Sequence, residues 1–392
     1  MKLQTIALLG STGSIGKSTL EIIKKTKKFK VVLIYANSNY IKILEQIKIY
    51  KPKIAIVNNK DVCFKLKQNK KIKKTLIFNN FKLAYKYIKK VDITVSAIPG
   101  IAGLEPTLSF IKLSKKILLA NKESIVCGWK LIKKYSIKYK TKIIPIDSEH
   151  FSILELTKQY TNKEIEKIYI TASGGPFLNL KKTKFKHITP KDAVKHPKWK
   201  MGKKISVDSA TLMNKVLELT EALKLFPFDA NKYEIIIHPQ SLIHAIVKFK
   251  NGTTYFLYHL PDMKIPISNA LFDGKFNYVK YFKNKKKNNF SDQTLEFFPV
   301  DKNKFPTLRL IPKMNTSESS PIIINAANEI FVDEFLKNNI RFNDISDYLN
   351  LVLRHKNYIK TSKMSSNSIK NIYKIDSLGR EFARKIIKKN YI

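Results

Sequence analysis

The chain has 392 residues, 74 lysines and arginines against 30 acidic residues, a net charge of +44, 44% hydrophobic residues and 11% aromatics. That length and apolar content exclude a disordered chain and support two or three domains with substantial cores. No apolar run reaches the roughly eighteen residues that a membrane-spanning helix needs, so no membrane partner is expected.

Over the first 150 residues, strand-like runs alternate with amphipathic segments. The runs are Thr5–Leu9, Val31–Tyr35, Ile54–Val57, Thr75–Phe78, Ile93–Ser96, Ile117–Leu119 and Ile143–Ile146. Helix-like segments such as Gly16–Lys25, Ile41–Tyr50 and Ser124–Tyr135 lie between them. This rhythm predicts an α/β fold whose N-terminal domain (1–150) is a Rossmann-like, doubly wound parallel sheet. Beyond it come a strand at Ile168–Thr171, a Gly-rich turn, a long polar segment, and strands near Tyr233–Ile237 and Ala245–Phe249. They predict a central α+β domain over 151–280. A linker is expected over 281–305, because Phe282–Phe290 (FKNKKKNNF) is rich in Lys and Asn. Residues 306–392 read as a C-terminal helical domain with a core helix at Ile324–Leu336.

Gly10–Gly16 (GSTGSIG) follows the first strand and opens a helix. It reads as a turn that admits a pyrophosphate to a helix N-terminus, against the plainer reading of a tight strand–helix connection. After the second strand, Ala36-Asn37-Ser38-Asn39 offers no carboxylate for a ribose 2′-hydroxyl, which favours NADP over NAD. Ala120–Glu123 (ANKE) ends another strand where open α/β sheets bind ligands, although Asn121 is also a helix N-cap type.

Pro145–His150 (PIDSEH) places Asp147 and Glu149 two apart. On extended backbone both carboxylates point to one side and suit Mg²⁺ or Mn²⁺; the competing reading is the cap of the next helix. Thr171–Phe177 (TASGGPF) offers Ser173 either to a phosphate or to a tight turn. His196–Glu218 (HPKWKMGKKISVDSATLMNKVLE) carries phosphate donors in Ser209, Asn214 and Lys215, and the carboxylate of Glu218 one helical turn further on. His238 and His244, in HPQSLIH, read as hydrogen-bonded structural groups and are not placed in the site.

The excess of lysine invites a nucleic-acid reading. Two features weigh against it: arginine, the favoured residue for phosphate and base contacts, is absent before Arg309, and the lysines are scattered among Ile, Asn, Tyr and Phe as A/T-rich codons would produce. No specific nucleic-acid partner is expected. Cys63 and Cys127 lack metal or redox spacing. The opening MKLQTIALLGSTG resembles neither a secretory signal nor a transit segment, so a reduced, cytoplasmic setting is expected.

In order and spacing, GSTGSIG (10–16), LANKES (119–124), PIDSEH (145–150), TASGGPF (171–177), HPKWKMGKKISVDSATLMNK (196–215), HPQSLIH (238–244) and NAANE (325–329) resemble the 1-deoxy-D-xylulose 5-phosphate reductoisomerase family. The resemblance implies an NADPH- and Mg²⁺- or Mn²⁺-dependent homodimer making 2-C-methyl-D-erythritol 4-phosphate in non-mevalonate isoprenoid biosynthesis. It implies NADPH at Thr12, Gly13, Ser14, Ile15, Asn37, Ser38, Asn39, Asn121, Glu123 and Gly202, and the metal on Asp147, Glu149 and Glu218. It implies substrate contacts from Lys122, Ser148, Glu149, Ser173, His196, Ser209, Asn214, Lys215 and Glu218, with Lys122 and Glu149 catalytic. The central domain over 151–280 would be catalytic, and a lid near 185–205 would carry Trp199 and Met201.

Two positions depart from the family pattern. Ser38 stands where a basic residue is common, which implies a weaker hold on the 2′-phosphate, and Pro99 stands where an aliphatic is usual. The alternatives are another NADP-linked oxidoreductase, such as a semialdehyde dehydrogenase, which would need a catalytic Cys, and a basic nucleic-acid-binding protein.

Overall fold

Seven apolar runs form one parallel sheet. Its strands are β1 (Gln4–Leu9), β2 (Phe29–Ala36), β3 (Ile54–Val57), β4 (Leu76–Phe78), β5 (Val91–Ser96), β6 (Ser114–Leu119) and β7 (Lys142–Pro145), in the order β4-β3-β2-β1-β5-β6-β7. The computed structural model describes residues 3–199, 201–282 and 293–390, so 283–292 of the expected linker lie outside the described residues.

All seven predicted strands occur where the apolar pattern places them. β5 and β6 begin earlier than expected because pairing extends past the apolar run, from Val91 to Ser114. Ile6–Leu9 and all of β3 are buried, as strands covered on both faces must be. The strand order reverses at β1, which lies between β2 and β5. That makes the end of β1 the topological switch point where such sheets bind ligands.

The helices that follow strands of this sheet along the chain include α1 (Ser14–Thr26), α2 (Tyr40–Tyr50), α3 (Lys60–Lys67), α4 (Leu104–Ile111), α5 (Lys122–Tyr139) and α6 (Ser148–Thr157). α1 buries Leu20, Ile22 and Ile23, the apolar stripe that its amphipathic pattern predicts.

A second sheet contains β8 (Ile165–Ala172), β9 (Tyr233–Ile237), β10 (Ile243–Phe249), β11 (Thr254–Tyr258) and β12 (Phe298–Pro299), ordered β11-β10-β8-β9-β12. β8 and β9 run parallel and β10 runs antiparallel to β8. β11 and β12 are not foreseen from the sequence. β12 has two residues, and β11 shows Thr254, Tyr255 and Phe256 to solvent, so it lacks an alternating apolar face. Between β8 and β9 lie α7 (Lys203–Ala210) and α8 (Met213–Leu225). Leu219 and Ala222 of α8 pack with Ile165, Ile168, Ile170, Val247 and Phe249 in a buried cluster. The helix that carries Asn214, Lys215 and Glu218 is thereby seated on the sheet.

The C-terminal part is helical, as expected: α9 (Ser320–Leu336), α10 (Phe342–Arg354) and α11 (Ile369–Asn390) are its long elements. α9 starts earlier than the predicted Ile324, with Pro321 in its first turn, where a missing N–H costs nothing.

The chain divides into two units. One comprises the described parts of Met1–Ser124, Leu131–Phe151 and Asp262–Asn288; the other comprises those of Ile125–Lys130, Ser152–Pro261 and Asn289–Ile392. The first unit thus includes the Lys264–Leu271 helix, whose Ala270 carbonyl accepts from Lys116 Nζ at 2.9 Å. Among the described residues, no helix is long and apolar enough to cross a membrane.

Candidate active site

In the first unit, the turn after β1 needs its glycines. Gly10 has φ +91°, and a Cβ there would lie 2.4 Å from the Ala97 carbonyl oxygen; a Cβ at Gly16 would lie 2.4 Å from that of Gly10. Gly13 caps α1 with extended backbone and no side-chain hydrogen bond, leaving the first N–H groups of the helix to another partner. Thr12 and Ile15 are half-buried, and Gly13 and Ser14 are exposed. Gln46 of α2 fixes the loop from behind, donating from Nε2 to the Ser11 carbonyl at 3.0 Å, and the buried Ser11 Oγ has no partner. An accessible, uncapped helix start behind a glycine turn fits a dinucleotide pyrophosphate.

After β2, Asn37, Ser38 and Asn39 are all exposed. The Asn39 side chain accepts from Lys42 N at 3.1 Å and so caps α2. Asn37 Oδ1 accepts from Asn58 Nδ2 at 3.3 Å.

Asn121 is 3% exposed, and its side chain is largely engaged in structure. It accepts from Ser124 N at 2.6 Å as the α5 cap, and its Nδ2 donates to the carbonyls of Ile98 and Gly100. Glu123 lies in the first turn of α5, where the helix dipole favours an anion. Lys122 is 6% exposed and meets Asp147 Oδ2 at 2.9 Å.

The expected extended arrangement of Asp147 and Glu149 is corrected by the structure. β7 ends at Pro145, the Asp147 carbonyl accepts from Phe151 N at 2.8 Å, and Glu149 lies in the first turn of α6. Helix geometry, not strand alternation, sets their directions. Ser148 Oγ donates to Glu149 Oε2 at 2.6 Å.

In the second unit, β8 delivers Ser173 to a turn in which Gly174 and Gly175 have φ +79° and +67°. Ser173 Oγ accepts from Gly175 N at 3.1 Å and lies 3.0 Å from His196 Nε2. His196 Nδ1 accepts from the backbone N–H of Lys198 at 3.2 Å and of Trp199 at 2.9 Å. A ring nitrogen that accepts carries no proton, so these bonds assign the proton to Nε2, which donates to Ser173. With both oxygen lone pairs engaged, the Ser173 hydroxyl hydrogen is left for an external acceptor such as a phosphate.

Within the expected lid region, Thr189 and Asp192 form a capping box for the short Pro190–Ala193 helix. Trp199 and Met201 are half-buried, and the Trp199 ring lies edge-on to His244 with centroids 6.0 Å apart. Gly202, exposed, starts α7.

α7 holds Ser209, which is 8% exposed. Leu212 joins α7 to α8 in the left-handed region at φ 60°, a conformation that costs a non-glycine residue about 1–2 kcal/mol. On α8, Asn214 Nδ2 donates to Glu218 Oε1 at 2.6 Å, and Lys215 Nζ donates to Glu218 Oε2. These are the i,i+4 and i,i+3 contacts that the spacing predicts. Lys215 and Glu218 are 5% and 1% exposed, so the pair sits in a nearly dry environment.

The two histidines set aside in the sequence have structural partners. His238 N donates to the Ala172 carbonyl at 2.7 Å, its Nδ1 lies 2.9 Å from the Glu296 carbonyl, and burial pushes its pKa down. His244 Nε2 lies 3.3 Å from the His259 carbonyl, and the two rings stack at 3.9 Å. Burial first, and then the His259 ring, hold His244 well below its ordinary value. His259 and Gln46 are missed by sequence reasoning. Gln46 lies within α2 and His259 just beyond β11, and no spacing marks either.

The DXP reductoisomerase family description matches residues 6–128, and two descriptions of C-terminal domains of the same enzyme match 143–226 and 259–382. The 1-deoxy-D-xylulose 5-phosphate reductoisomerase of Pelagibacter ubique (strain HTCC1062) is 44% identical over 392 residues, spanning 98% of this chain and 99% of the relative. That of Wolbachia pipientis subsp. Culex pipiens (strain wPip) is 39% identical over 398 residues, spanning 98% of each. A crystal structure of DOX-P reductoisomerase in complex with NADPH, fosmidomycin and magnesium has a TM-score of 0.89 at 33% identity, covering 98% of both chains. The Zymomonas mobilis enzyme in complex with NADPH has a TM-score of 0.86 at 32% identity, covering 98% of this chain and 99% of that one. Related along nearly its whole length in sequence and in fold, the chain belongs to the 1-deoxy-D-xylulose 5-phosphate reductoisomerase family.

Proposed function

We propose that this chain is an NADPH- and divalent-metal-dependent oxidoreductase that converts 1-deoxy-D-xylulose 5-phosphate to 2-C-methyl-D-erythritol 4-phosphate in isoprenoid biosynthesis, with site residues assigned as follows. The observation that carries the assignment is the buried Asn214–Lys215–Glu218 cluster on α8. A carboxylate and an ammonium kept almost dry cost several kcal/mol of desolvation, which a purely structural helix has no need to bear.

Asp147, Glu149 and Glu218 are the metal ligands. Their donor set is all carboxylate oxygen, the chemistry that Mg²⁺ or Mn²⁺ takes. Thr12, Gly13, Ser14 and Ile15 would hold the dinucleotide, with Asn37, Ser38 and Asn39 on the side of the ribose phosphate and Asn121, Glu123 and Gly202 completing that site. When bound, the metal polarises the substrate ketone and acidifies a neighbouring hydroxyl, and NADPH supplies the reducing hydride.

The chain's own residues hold and orient the sugar phosphate. Ser173 donates its remaining hydroxyl hydrogen to the phosphate, and His196 keeps that hydroxyl aimed through Nε2. Ser209, Asn214 and Lys215 complete a phosphate site without a guanidinium. Lys122 and Glu149 serve the reacting end beside Ser148, in proton handling or in stabilising developing charge. Trp199 and Met201 belong to a lid over 185–205 that keeps water from the carbon fragments during rearrangement. The functional division is NADPH binding over 1–150, catalysis over 151–280, a linker over 281–305 and a helical domain over 306–392.

The enzyme works as a cytoplasmic homodimer. The support for a dimer is β11, an edge strand with Tyr255 and Phe256 over 40% exposed, and an unprotected aromatic edge is a ready pairing surface. The test of the activity is loss of NADPH absorbance on adding 1-deoxy-D-xylulose 5-phosphate, with and without Mg²⁺ or Mn²⁺. Metal-dependent oxidation is expected, and its absence with folded protein defeats the proposal.

A further inference from the structure

The NAANE segment at 325–329 lies on α9, in the C-terminal helical part, and none of the roles above uses it. Both its asparagines are fully buried. Asn328 Nδ2 donates to Asp208 Oδ1 on α7 at 2.8 Å. Asp208 is 1% exposed, and its other oxygen, Oδ2, receives Lys204 Nζ at 2.8 Å from one turn earlier on α7. The carboxylate next to Ser209 is thus clamped from two directions, by its own helix and by α9.

A second tie from the C-terminal part holds the end of the same helix. Thr307 Oγ1 donates to the Thr211 carbonyl, at the junction where Leu212 takes its left-handed conformation. At the far end of the segment, Glu329 receives Asn325 Nδ2 at 3.3 Å and the Arg380 guanidinium of α11, which is also bonded to Asp376 at 2.7 Å. α9 is therefore fastened on one side to α11 and on the other to α7.

We infer that Asn328 and Asp208 are positioning residues for substrate binding, with Thr307 as a second anchor: through them the C-terminal helical part fixes α7 and the α7–α8 junction, and so the Ser209 hydroxyl and the Asn214–Lys215 pair. This inference rests on the proposed phosphate-binding role of those residues. The physical reason for a buried Asp–Asn pair is directionality. An apolar contact would hold two helices together equally well, but it would let α7 slide and rotate, whereas two hydrogen bonds to one carboxylate set its register.

The pair also offers a reciprocal test. In the double variant Asp208→Asn/Asn328→Asp, the new amide at 208 can still accept from Lys204 through its oxygen, and its nitrogen can donate to the new carboxylate at 328. The single changes fail differently: Asn328→Asp sets two carboxylates against each other, and Asp208→Asn removes the negative charge that Lys204 meets and leaves both bonds to a neutral amide.

Steady-state kinetics on the full-length enzyme decide the matter, with NADPH and 1-deoxy-D-xylulose 5-phosphate varied separately. Asn328→Asp and Asp208→Asn are each expected to raise KM for the sugar phosphate about tenfold with a smaller effect on kcat, the pattern of lost uniform binding, and to leave KM for NADPH unchanged. The double variant should recover most of that loss. If the single variants fail to fold, the near-isosteric Thr307→Val is expected to raise the same KM, because it frees the α7–α8 junction while keeping the side-chain volume.

Single variants that melt earlier but keep a normal sugar-phosphate KM overturn the inference, as does a double variant no better than the worse single. For unfolded singles, a normal KM in Thr307→Val overturns it as well. An inactive wild-type enzyme would instead defeat the proposed activity, so the two failures are distinguishable.

Discussion

Replacing Glu218 by glutamine removes a negative charge from a position that water barely reaches. The side chain is 2% exposed, accepts from Asn214 Nδ2 at 2.6 Å and faces the Lys215 ammonium, itself 7% exposed. Losing one partner of a buried ion pair costs about 3–5 kcal/mol. Glutamine keeps the volume and one acceptor oxygen, so the expected loss of stability lies at or below the lower end, about 2–3 kcal/mol. The larger effect is on turnover, because an anionic metal ligand becomes a neutral one. If about 3–4 kcal/mol of transition-state stabilisation goes with it, Glu218→Gln lowers kcat by about two to three orders of magnitude. NADPH affinity should be unchanged, since the cofactor is assigned to the turn after β1. The assay is NADPH absorbance over a series of Mg²⁺ concentrations, with NADPH binding by fluorescence and a melting curve on the same preparation. Near-normal turnover refutes the assignment of Glu218 to the metal. Lost NADPH binding in a folded variant refutes the separation of the two sites.

Gly16→Ala places a Cβ 2.4 Å from the Gly10 carbonyl oxygen, a clash of backbone that overpacking costs put at about 1–3 kcal/mol; NADPH affinity and melting temperature should both fall, and intact NADPH binding would remove the cofactor from this turn. The depressed His244 pKa makes a signed prediction. Between its folded value and about 6.5 the unfolded chain binds the extra proton, so stability is complete above about pH 6.5 and is lost as pH falls below it. Urea unfolding at about pH 7 and about pH 5.5 should show that slope, to which the buried His238 adds, and His244→Asn should reduce it; an unchanged slope means His244 does not contribute. Tyr255→Lys with Phe256→Lys places two charges on the β11 edge and should convert the dimer to monomer in sedimentation, whereas an intact dimer locates its interface elsewhere.

Elements with a strong period were legible in the chain, and isolated contacts were not. The parallel sheet could be read because each strand is a short apolar run bounded by turn residues, and burial on both faces leaves no polar residue to blur it. Asn214, Lys215 and Glu218 could be read as neighbours because helical spacing alone brings them together. The directions of Asp147 and Glu149 are not legible from their spacing. The helix begins at Ser148, and nothing in PIDSEH separates a strand that continues from a helix that starts. The Ser173–His196 bond spans 23 residues and depends on how the segment after the Pro190–Ala193 helix folds back, which no local pattern encodes. The Asp208–Asn328 bond spans 120 residues and depends on the packing of α9 against α7, which nothing local in NAANE encodes.

The central claim, a metal-dependent rearrangement coupled to reduction by NADPH, is tested most directly by the fate of a label. With 1-deoxy-D-xylulose 5-phosphate, NADPH carrying deuterium at both positions of nicotinamide C4 and Mg²⁺, mass spectrometry and NMR should show a branched-chain polyol phosphate carrying deuterium on carbon, formed in step with NADPH loss and abolished by chelation of the metal. A straight-chain product, an unlabelled one, or a yield indifferent to chelation would contradict it.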